Sequence, residues 1–309
     1  MILSKHIHWN TQSKIRFSPE YIRLHAEQAI IQTPEFSNIF THQKSNFLNS
    51  GTHGQRKSGS GTDFWQYREY REGDPAHNID WRKSARSDTH YIRDREWEIA
   101  QTITIWLDNS ASMQHVYNTK TLSKYQFSAI LTYILSTKFI YAGERLSFLT
   151  PSIKNCTSKS ALPDLAQSLA LNNAEHGSAP LSGQPKSFPI LISDFWDDTA
   201  AIDKQISDLT AGNYKGLIIH TVASEEINLP YKGRLKIQSL SDQDEGFTIN
   251  DITKAKITYK ERVEQHCQNV AALADKHGCT YIRLTTDAPL TTATLDIHDM
   301  LTLKHGSAK

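Results

Sequence analysis

The pattern of apolar and polar residues changes near residue 100. After Gln101, short apolar runs typical of strands alternate with longer stretches that have helical periodicity. Strands are predicted at residues 102–107, 145–149, 188–192, 216–222 and 280–284. This alternation favours the α/β class, with a doubly wound, mostly parallel sheet that helices cover on both faces.

Two of the stretches with helical periodicity predict helices that cover the sheet. Residues 124–141 are apolar nearly all round, apart from a polar row at helical spacing, as expected of a helix buried against a sheet. Near the other end of the sequence, one apolar stripe predicts a second covering helix, which Gly278 ends. The stripe consists of Tyr259, Val263, Cys267, Val270 and Ala274. Residues at about 233–250, between the strand predicted at 216–222 and this second helix, predict an inserted β-hairpin.

The first 98 residues lack this alternation. They predict an N-terminal helix at about 19–31, a flexible loop rich in Ser, Asn and Gly at 49–61, and a small β-rich module at 62–98. The module holds several aromatic residues among many charges, more than a disordered linker carries. We therefore predict an N-terminal part at 1–98 and the α/β domain at 99–309.

Composition excludes several classes of partner. Lys and Arg number 34 against 33 Asp and Glu, so the whole chain has no basic excess for nucleic acid or an anionic membrane. Residues 51–95 hold nine basic but also seven acidic residues, which repel phosphates, and we expect no nucleic-acid binding. No apolar run approaches the ~20 residues of a membrane span. Three scattered cysteines fit a reducing cytoplasm.

The candidate chemistry lies where two predicted strands end. Asp108, Ser110 and Ser112 follow the first strand as an Asp-x-Ser-x-Ser sequence, and Asp194 follows the strand at 188–192. The carboxyl ends of parallel strands form the crevice in which ligands bind. One carboxylate with two hydroxyls suits a hard cation such as Mg2+. The alternative is that these side chains only cap the helix that follows.

The Asp-x-Ser-x-Ser sequence with the distal Asp194 resembles the metal-ion-dependent adhesion site of von Willebrand factor A domains. Several separated motifs, in the expected order, also resemble the bacterial family called domain of unknown function 58. They are Gly-Thr-Asp-Phe at 61–64, Tyr-Arg-Glu-Tyr at 67–70, Gly-Asp at 73–74, Ile-Asp-Trp at 79–81 and Ser-Ala-Arg at 84–86.

The resemblance implies a function as well as a fold. It implies a von Willebrand factor A-like module for protein–protein interaction that is not an enzyme and holds Mg2+ or another divalent cation at Asp108, Ser110, Ser112 and Asp194. It also implies an adaptor role, with a MoxR-type AAA+ ATPase or its client as the partner. A Mg-dependent phosphohydrolase and a metal-free scaffold that uses the same edge remain alternatives. The chain has neither a Gly-x-Ser-x-Gly nor a His-Glu-x-x-His sequence.

Two positions depart from the resembled patterns. His77 stands where the family usually has an Arg two residues before Ile-Asp-Trp. The adhesion-site pattern also includes a Thr in the loop after the second helix, and no Thr occurs between Asn172 and Ser187. Ser178 or Ser182 is the candidate substitute for this ligand.

The family signature in the module has two interpretations. It comprises Arg68, Tyr70, Gly73, Asp74, Asp80, Trp81 and Arg86. We favour a structural role, in which Asp80 pairs with an Arg and Trp81 is the packing anchor that fastens the module. The alternative is a surface that binds a partner or an anion, since Arg and aromatic residues dominate binding hot spots.

Overall fold

The computed structural model describes residues 17–36, 39, 58–71, 74, 76, 79–87, 89–96, 101–116, 121–149, 153, 155–171, 187–210, 215–229, 235–237, 247–249 and 252–306. The helices and strands follow one another in this order: α1 (Pro19–Gln32), β1 (Ser58–Glu69), α2 (Trp81–Ser84), β2 (Tyr91–Glu96), β3 (Thr102–Leu107), α3 (Ala111–Gln114), α4 (Lys124–Tyr141), β4 (Arg145–Phe148), a 3₁₀ helix (Lys159–Ala161), α5 (Leu162–Leu171), β5 (Ser187–Ser193), α6 (Thr199–Thr210), β6 (Leu217–Val222), α7 (Ser224–Asn228), β7 (Leu235–Ile237), β8 (Phe247–Ile249), α8 (Ile252–Lys276), β9 (Thr280–Thr285) and α9 (Leu290–Gly306).

Five parallel strands form the central sheet, in the order β4-β3-β5-β6-β9. Every residue of β5 and β6 is buried, because helices cover both faces of the sheet. The prediction of an α/β fold with a parallel sheet flanked by helices is confirmed. The chain runs from β3 outward to β4 and then returns to β5 on the other side, so the strand order reverses between β3 and β5. Ligands of doubly wound folds bind at such a reversal.

Helix α4 covers one face of the sheet. All of its residues are buried except Gln126 and Tyr141, as the apolar pattern predicted. Two residues of its polar row are hydrogen-bonded: the hydroxyls of Ser128 and Thr221 in β6 lie 3.0 Å apart, and Thr132 donates to the Ser128 carbonyl.

Helix α1 packs against α4, and this contact changes the predicted division of the chain. The Lys138 ammonium of α4 donates to the carbonyl of Thr33, the residue directly after α1, at 2.7 Å. The chain divides into residues 1–39 with 101–309 as one compact unit, and residues 40–100 as another. Grouping the N-terminal helix with the β-rich module is therefore corrected: α1 is part of the α/β unit.

The opposite face of the sheet has its own core. Trp106, Leu191 and Ile218 come from three adjacent strands and pack with residues of α6 and α8. In the predicted stripe of α8, Tyr259 is half-buried and the remaining members are buried. Gly278 has a φ of 70° just after α8, which is the left-handed conformation that ends helices at little cost for glycine.

In the part of the chain that the structure describes, two antiparallel pairs of strands lie outside the main sheet. β7 pairs with β8 at the position of the predicted hairpin. In the unit formed by residues 40–100, β1 pairs with β2, with register shifts between Gly59 and Gln66. Among the helices described, none has the length and apolar character required to cross a membrane.

Candidate functional site

The sheet places Asp108 and Asp194 at the same edge. In the register of β3 with β5, Leu107 lies opposite Ile192, and the Asp108 amide donates to the Ile192 carbonyl at 2.9 Å. Asp194 directly follows β5. Both aspartates are therefore at the carboxyl ends of the two strands that flank the reversal of strand order, as the sequence predicted.

Asp108, Ser110 and Ser112 form a compact group of oxygens, which we call the Asp108 cluster. The Asp108 carboxylate accepts from the Ser110 amide at 2.8 Å and from the Ser110 hydroxyl at 3.1 Å. The hydroxyls of Ser110 and Ser112 lie 3.0 Å apart. Ser193 of β5, which sequence reasoning missed, donates to the same carboxylate at 2.7 Å.

The capping alternative is tested by Ser110, which occupies the N-cap position of α3. Its side chain makes no cap hydrogen bond to that helix. It faces Asp108 and Ser112 instead. By contrast, Ser123 at the N-cap of α4 accepts from the Gln126 amide, as a capping serine does. Capping therefore does not explain the orientation of the Ser110 hydroxyl.

The Asp108 carboxylate lies in an environment that opposes its ionised form. Its residue is 7% exposed. Burial, and secondly the negative charge of Asp194, raise the pKa of Asp108 to about 6, against the hydrogen bonds from Ser193 and Ser110. At neutral pH this carboxylate is ionised at a cost, and a cation beside it would reduce that cost.

Lys124, Asp194 and Glu226 form a second group, which we call the Lys124 cluster. The Lys124 ammonium donates to Asp194 Oδ2 at 2.7 Å and also to Glu226 Oε1. Lys124 is completely buried. Burial alone would lower the pKa of Lys124, but the charges and hydrogen bonds of the two carboxylates outweigh burial and raise it, so the ammonium remains protonated.

Glu226 and Lys124 were both missed by sequence reasoning. Glu226 lies in α7, just after β6, and its other carboxylate oxygen accepts from the Ala223 amide at 3.0 Å. Lys124 is the first residue of α4, where the helix dipole disfavours a cation. That unfavourable placement, in a helix otherwise nearly without charge, is the signal in the sequence that an anionic partner lies nearby.

The backbone beyond Asp194 has an unusual conformation. Phe195 has a φ of 46°, in the left-handed region that non-glycine residues seldom adopt. Its amide donates to the Ser193 hydroxyl at 3.2 Å, and its carbonyl accepts from His266 Nε2 at 2.6 Å. The Trp196 ring stacks on His266. These contacts fix the segment that carries Asp194, and Ser193 connects this segment to Asp108.

Four of the predicted residues, Ser178, Ser182, Gly73 and His77, lie outside the described residues. The donor set that can be assessed is one carboxylate with two hydroxyls, which fits a hard cation of the Mg2+ type. Within the described residues, no group of three or more His, Cys, Asp and Glu side chains is placed to hold a metal ion. The hydroxyls would therefore have to be ligands.

The signature residues are in the unit formed by residues 40–100. Arg68 forms a bidentate ion pair with Asp74, at 2.6 and 2.8 Å, which holds the pKa of that carboxyl low, at about 2. Asp80 caps α2 by accepting from the Lys83 amide and also accepts from the Tyr67 hydroxyl.

Trp81 is 61% exposed. Its role as the packing anchor that fastens the module stays a prediction. Tyr70 and Arg86 are also exposed.

Comparison with known proteins gives a family but no activity. The family described as protein of unknown function DUF58 matches residues 66–269. No curated protein matches the chain. Among solved structures, the conserved hypothetical protein BatB from Bacteroides thetaiotaomicron is similar at 14% identity and a TM-score of 0.38, over 68% of this chain and 100% of that one.

Proposed function

The chain belongs to the DUF58 family of proteins of unknown function, and we propose that its α/β unit is a von Willebrand factor A-like interaction module. In this proposal the Asp108 cluster binds Mg2+ or another divalent cation, and the edge of the sheet recognises a protein partner. The protein acts as an adaptor and not as an enzyme.

The observation that carries the proposal is the orientation of the serine hydroxyls. The Ser110 hydroxyl faces both the Asp108 carboxylate and the Ser112 hydroxyl, where the sheet reverses its strand order. A capping serine would face the amides of its own helix. Hydroxyl and carboxylate oxygens that converge in this way are the ligands that hard cations prefer.

The charge of the site also supports a cation. The contacts of the two clusters bring together three carboxylates and one ammonium. Two of the carboxylates are bonded to Lys124, and Asp108 is bonded to hydroxyl and amide donors. A divalent cation would supply the positive charge that the Asp108 carboxylate lacks, and with few anionic ligands it would keep a position for a carboxylate of the partner.

The proposed partner is a MoxR-type AAA+ ATPase or its client. This part rests on the family resemblance, since proteins of this family are commonly associated with such ATPases. The physical requirement is an acidic residue on the partner, which would complete the coordination of the cation. Affinity would then depend on both the divalent ion and that one residue.

A metal-free scaffold is the second candidate, and one observation favours it. The Lys124 ammonium is bonded to the distal aspartate, Asp194, which the adhesion-site pattern assigns to the metal. If the resident ammonium supplied all the positive charge that the site requires, the same edge would bind its partner without a divalent ion.

Binding of the ATPase to immobilised protein, in Mg2+ and in chelator, distinguishes these functions. The variants are Asp108→Ala and, as a matched control, Asp299→Ala at an exposed aspartate of α9. Loss of binding in chelator and in Asp108→Ala alone supports the metal-dependent adaptor. Binding unchanged by either supports the metal-free scaffold, and no binding under any condition rejects this partner. Phosphatase or nuclease turnover that Asp108→Ala abolishes would instead establish an enzyme.

A further inference from the structure

The position of Lys124 is unfavourable for a cation for two separate reasons. Its side chain is completely buried, and burial of an ammonium is expensive unless it is paired. It is also the first residue of an 18-residue helix, whose dipole repels a cation at that end. A lysine retained in such a position must be stabilised by the carboxylates of Asp194 and Glu226, which come from two other segments of the chain.

The two aspartates at the edge of the sheet have different hydrogen-bond partners. Asp194 Oδ2 is bonded to Lys124, and Asp108 Oδ2 is bonded to the hydroxyls of Ser110 and Ser193. A divalent ion at the Asp108 cluster could use Asp194 as an equal ligand only by displacing or sharing that ammonium. Two cations that share one carboxylate repel each other, and the repulsion is strong in a buried site.

We propose that Lys124 is a built-in competing cation, a positioning residue that keeps Asp194 and Glu226 from acting as direct ligands of a divalent ion at the Asp108 cluster. The inference rests on the proposed function, because it concerns the same cation site. Its consequence is a site with one anionic protein ligand. Such a site binds the divalent ion weakly and leaves it with charge to attract a carboxylate from a partner.

The main test compares proteins in which the total charge of the clusters is the same. Lys124→Met with Glu226→Gln removes one positive and one negative charge, so the sum is that of the wild type, but Asp194 loses its ammonium. We expect calorimetric titration with Mg2+ to give affinity at least about tenfold tighter in this double variant than in the wild type. Circular dichroism and cooperative thermal unfolding establish that both proteins are folded.

A second pair of variants keeps the inference testable if the double variant does not fold. Asp194→Asn and Glu226→Gln each remove one negative charge beside Lys124 and keep the size of the side chain. If Asp194 is withheld from the ion, the two changes alter Mg2+ affinity to a similar degree, within about threefold of each other. If Asp194 is a ligand, Asp194→Asn weakens binding far more than Glu226→Gln does.

The outcomes separate the inference from the proposed function. Tighter binding in the double variant supports the inference, whether or not the wild type binds detectably. If the wild type shows no binding and the double variant binds, the inference stands and metal-dependent function of the natural protein fails. Equal affinity in the wild type and the double variant overturns the inference and leaves the metal-dependent function intact. Absence of binding in every protein overturns both.

Discussion

The two clusters at the edge of the sheet use the same type of group in opposite ways. In the Lys124 cluster, two buried carboxylates share one buried ammonium, which offsets part of their negative charge within the protein. In the Asp108 cluster, a buried carboxylate accepts from neutral hydroxyl and amide donors, and burial and the charge of Asp194 raise the pKa of Asp108. Charge that the fold balances stabilises the fold, whereas charge left unbalanced is available to a ligand. The comparison supports our proposal that the Lys124 cluster is structural and that the Asp108 cluster binds a cation.

The largest expected effect is the loss of the internal cation. Lys124→Met leaves two buried carboxylates without their ammonium, and removing one partner of a buried pair costs roughly 3–5 kcal/mol. The free energy of unfolding, measured with urea in chelator, checks this. The control is Lys138→Met in the same helix, whose ammonium donates to the neutral Thr33 carbonyl and whose loss should cost only about 1–3 kcal/mol. A smaller loss for Lys124→Met than for Lys138→Met would contradict the structural assignment of the Lys124 cluster.

Removing the charge of Asp108 should raise the free energy of unfolding, whereas removing the Lys124 ammonium lowers it. Asp108→Asn removes an ionised group whose pKa is raised from 3.8 to about 6, and the variant should therefore be more stable at neutral pH and in chelator. At roughly 1.4 kcal/mol per pKa unit, the gain is up to about 3 kcal/mol. A raised carboxyl pKa costs stability above that pKa, so the gain should shrink as the pH falls from 6 toward 3.8. A variant that is less stable than the wild type at neutral pH would show that Asp108 is a structural residue.

The pH dependence of unfolding tests whether a second positive charge, on the ring of His220, is tolerated on the side of the sheet next to the Lys124 cluster. It is completely buried, and burial lowers the pKa of His220 to about 3, from an ordinary 6.5. Above pH 6.5 the ring is neutral in both folded and unfolded chains, and as the pH falls only the unfolded chain takes up the proton. Stability should therefore fall by about 2 kcal/mol between pH 6.5 and pH 5 on this account, at roughly 1.4 kcal/mol per unit. Urea unfolding of His220→Asn should show a shallower pH dependence than the wild type, and an equally steep one would be contrary to this expectation.

The smallest expected effects follow from removing the hydroxyls of two serines at helix N-caps. Ser123→Ala removes a cap hydrogen bond at the start of α4, and we expect a loss of about 1 kcal/mol in the free energy of unfolding. Ser110→Ala removes no such bond and should cost less in metal-free buffer, yet it should weaken Mg2+ binding. Equal losses in the two variants, with Mg2+ binding unaffected, would restore the capping interpretation of the Asp-x-Ser-x-Ser sequence.

The positions of the site residues that directly follow strands could be predicted from the sequence. An apolar strand followed by a polar residue fixes where that residue lies, so Asp108 and Asp194 could be placed at one edge from the sequence alone. The Lys124 cluster could not be predicted in this way. Its ammonium and the Glu226 carboxylate are 102 residues apart, and no local pattern relates them. Ser193 was missed because it looks like the last residue of an apolar strand.

Tertiary packing accounts for the other differences from prediction. Helix α1 precedes the module in sequence, yet its buried residues, including Ile22 and Ala26, belong to the α/β unit, because adjacency in sequence does not determine which core a helix joins. The exposure of Trp81 could not be predicted from its residue type. An aromatic residue is equally compatible with burial and with a surface, and the sequence holds no signal that separates the two here.

The anomalous scattering of Mn2+, in crystals of the wild type and of Asp108→Asn grown with that ion, tests directly whether the Asp108 cluster holds a divalent cation. We expect a peak in the wild type at ligand distance from the Ser110 and Ser112 hydroxyls, beside Asp108 and on the side away from Lys124, and no peak there in Asp108→Asn. No peak at these oxygens in the wild type, or an equal peak in both proteins, would contradict this expectation.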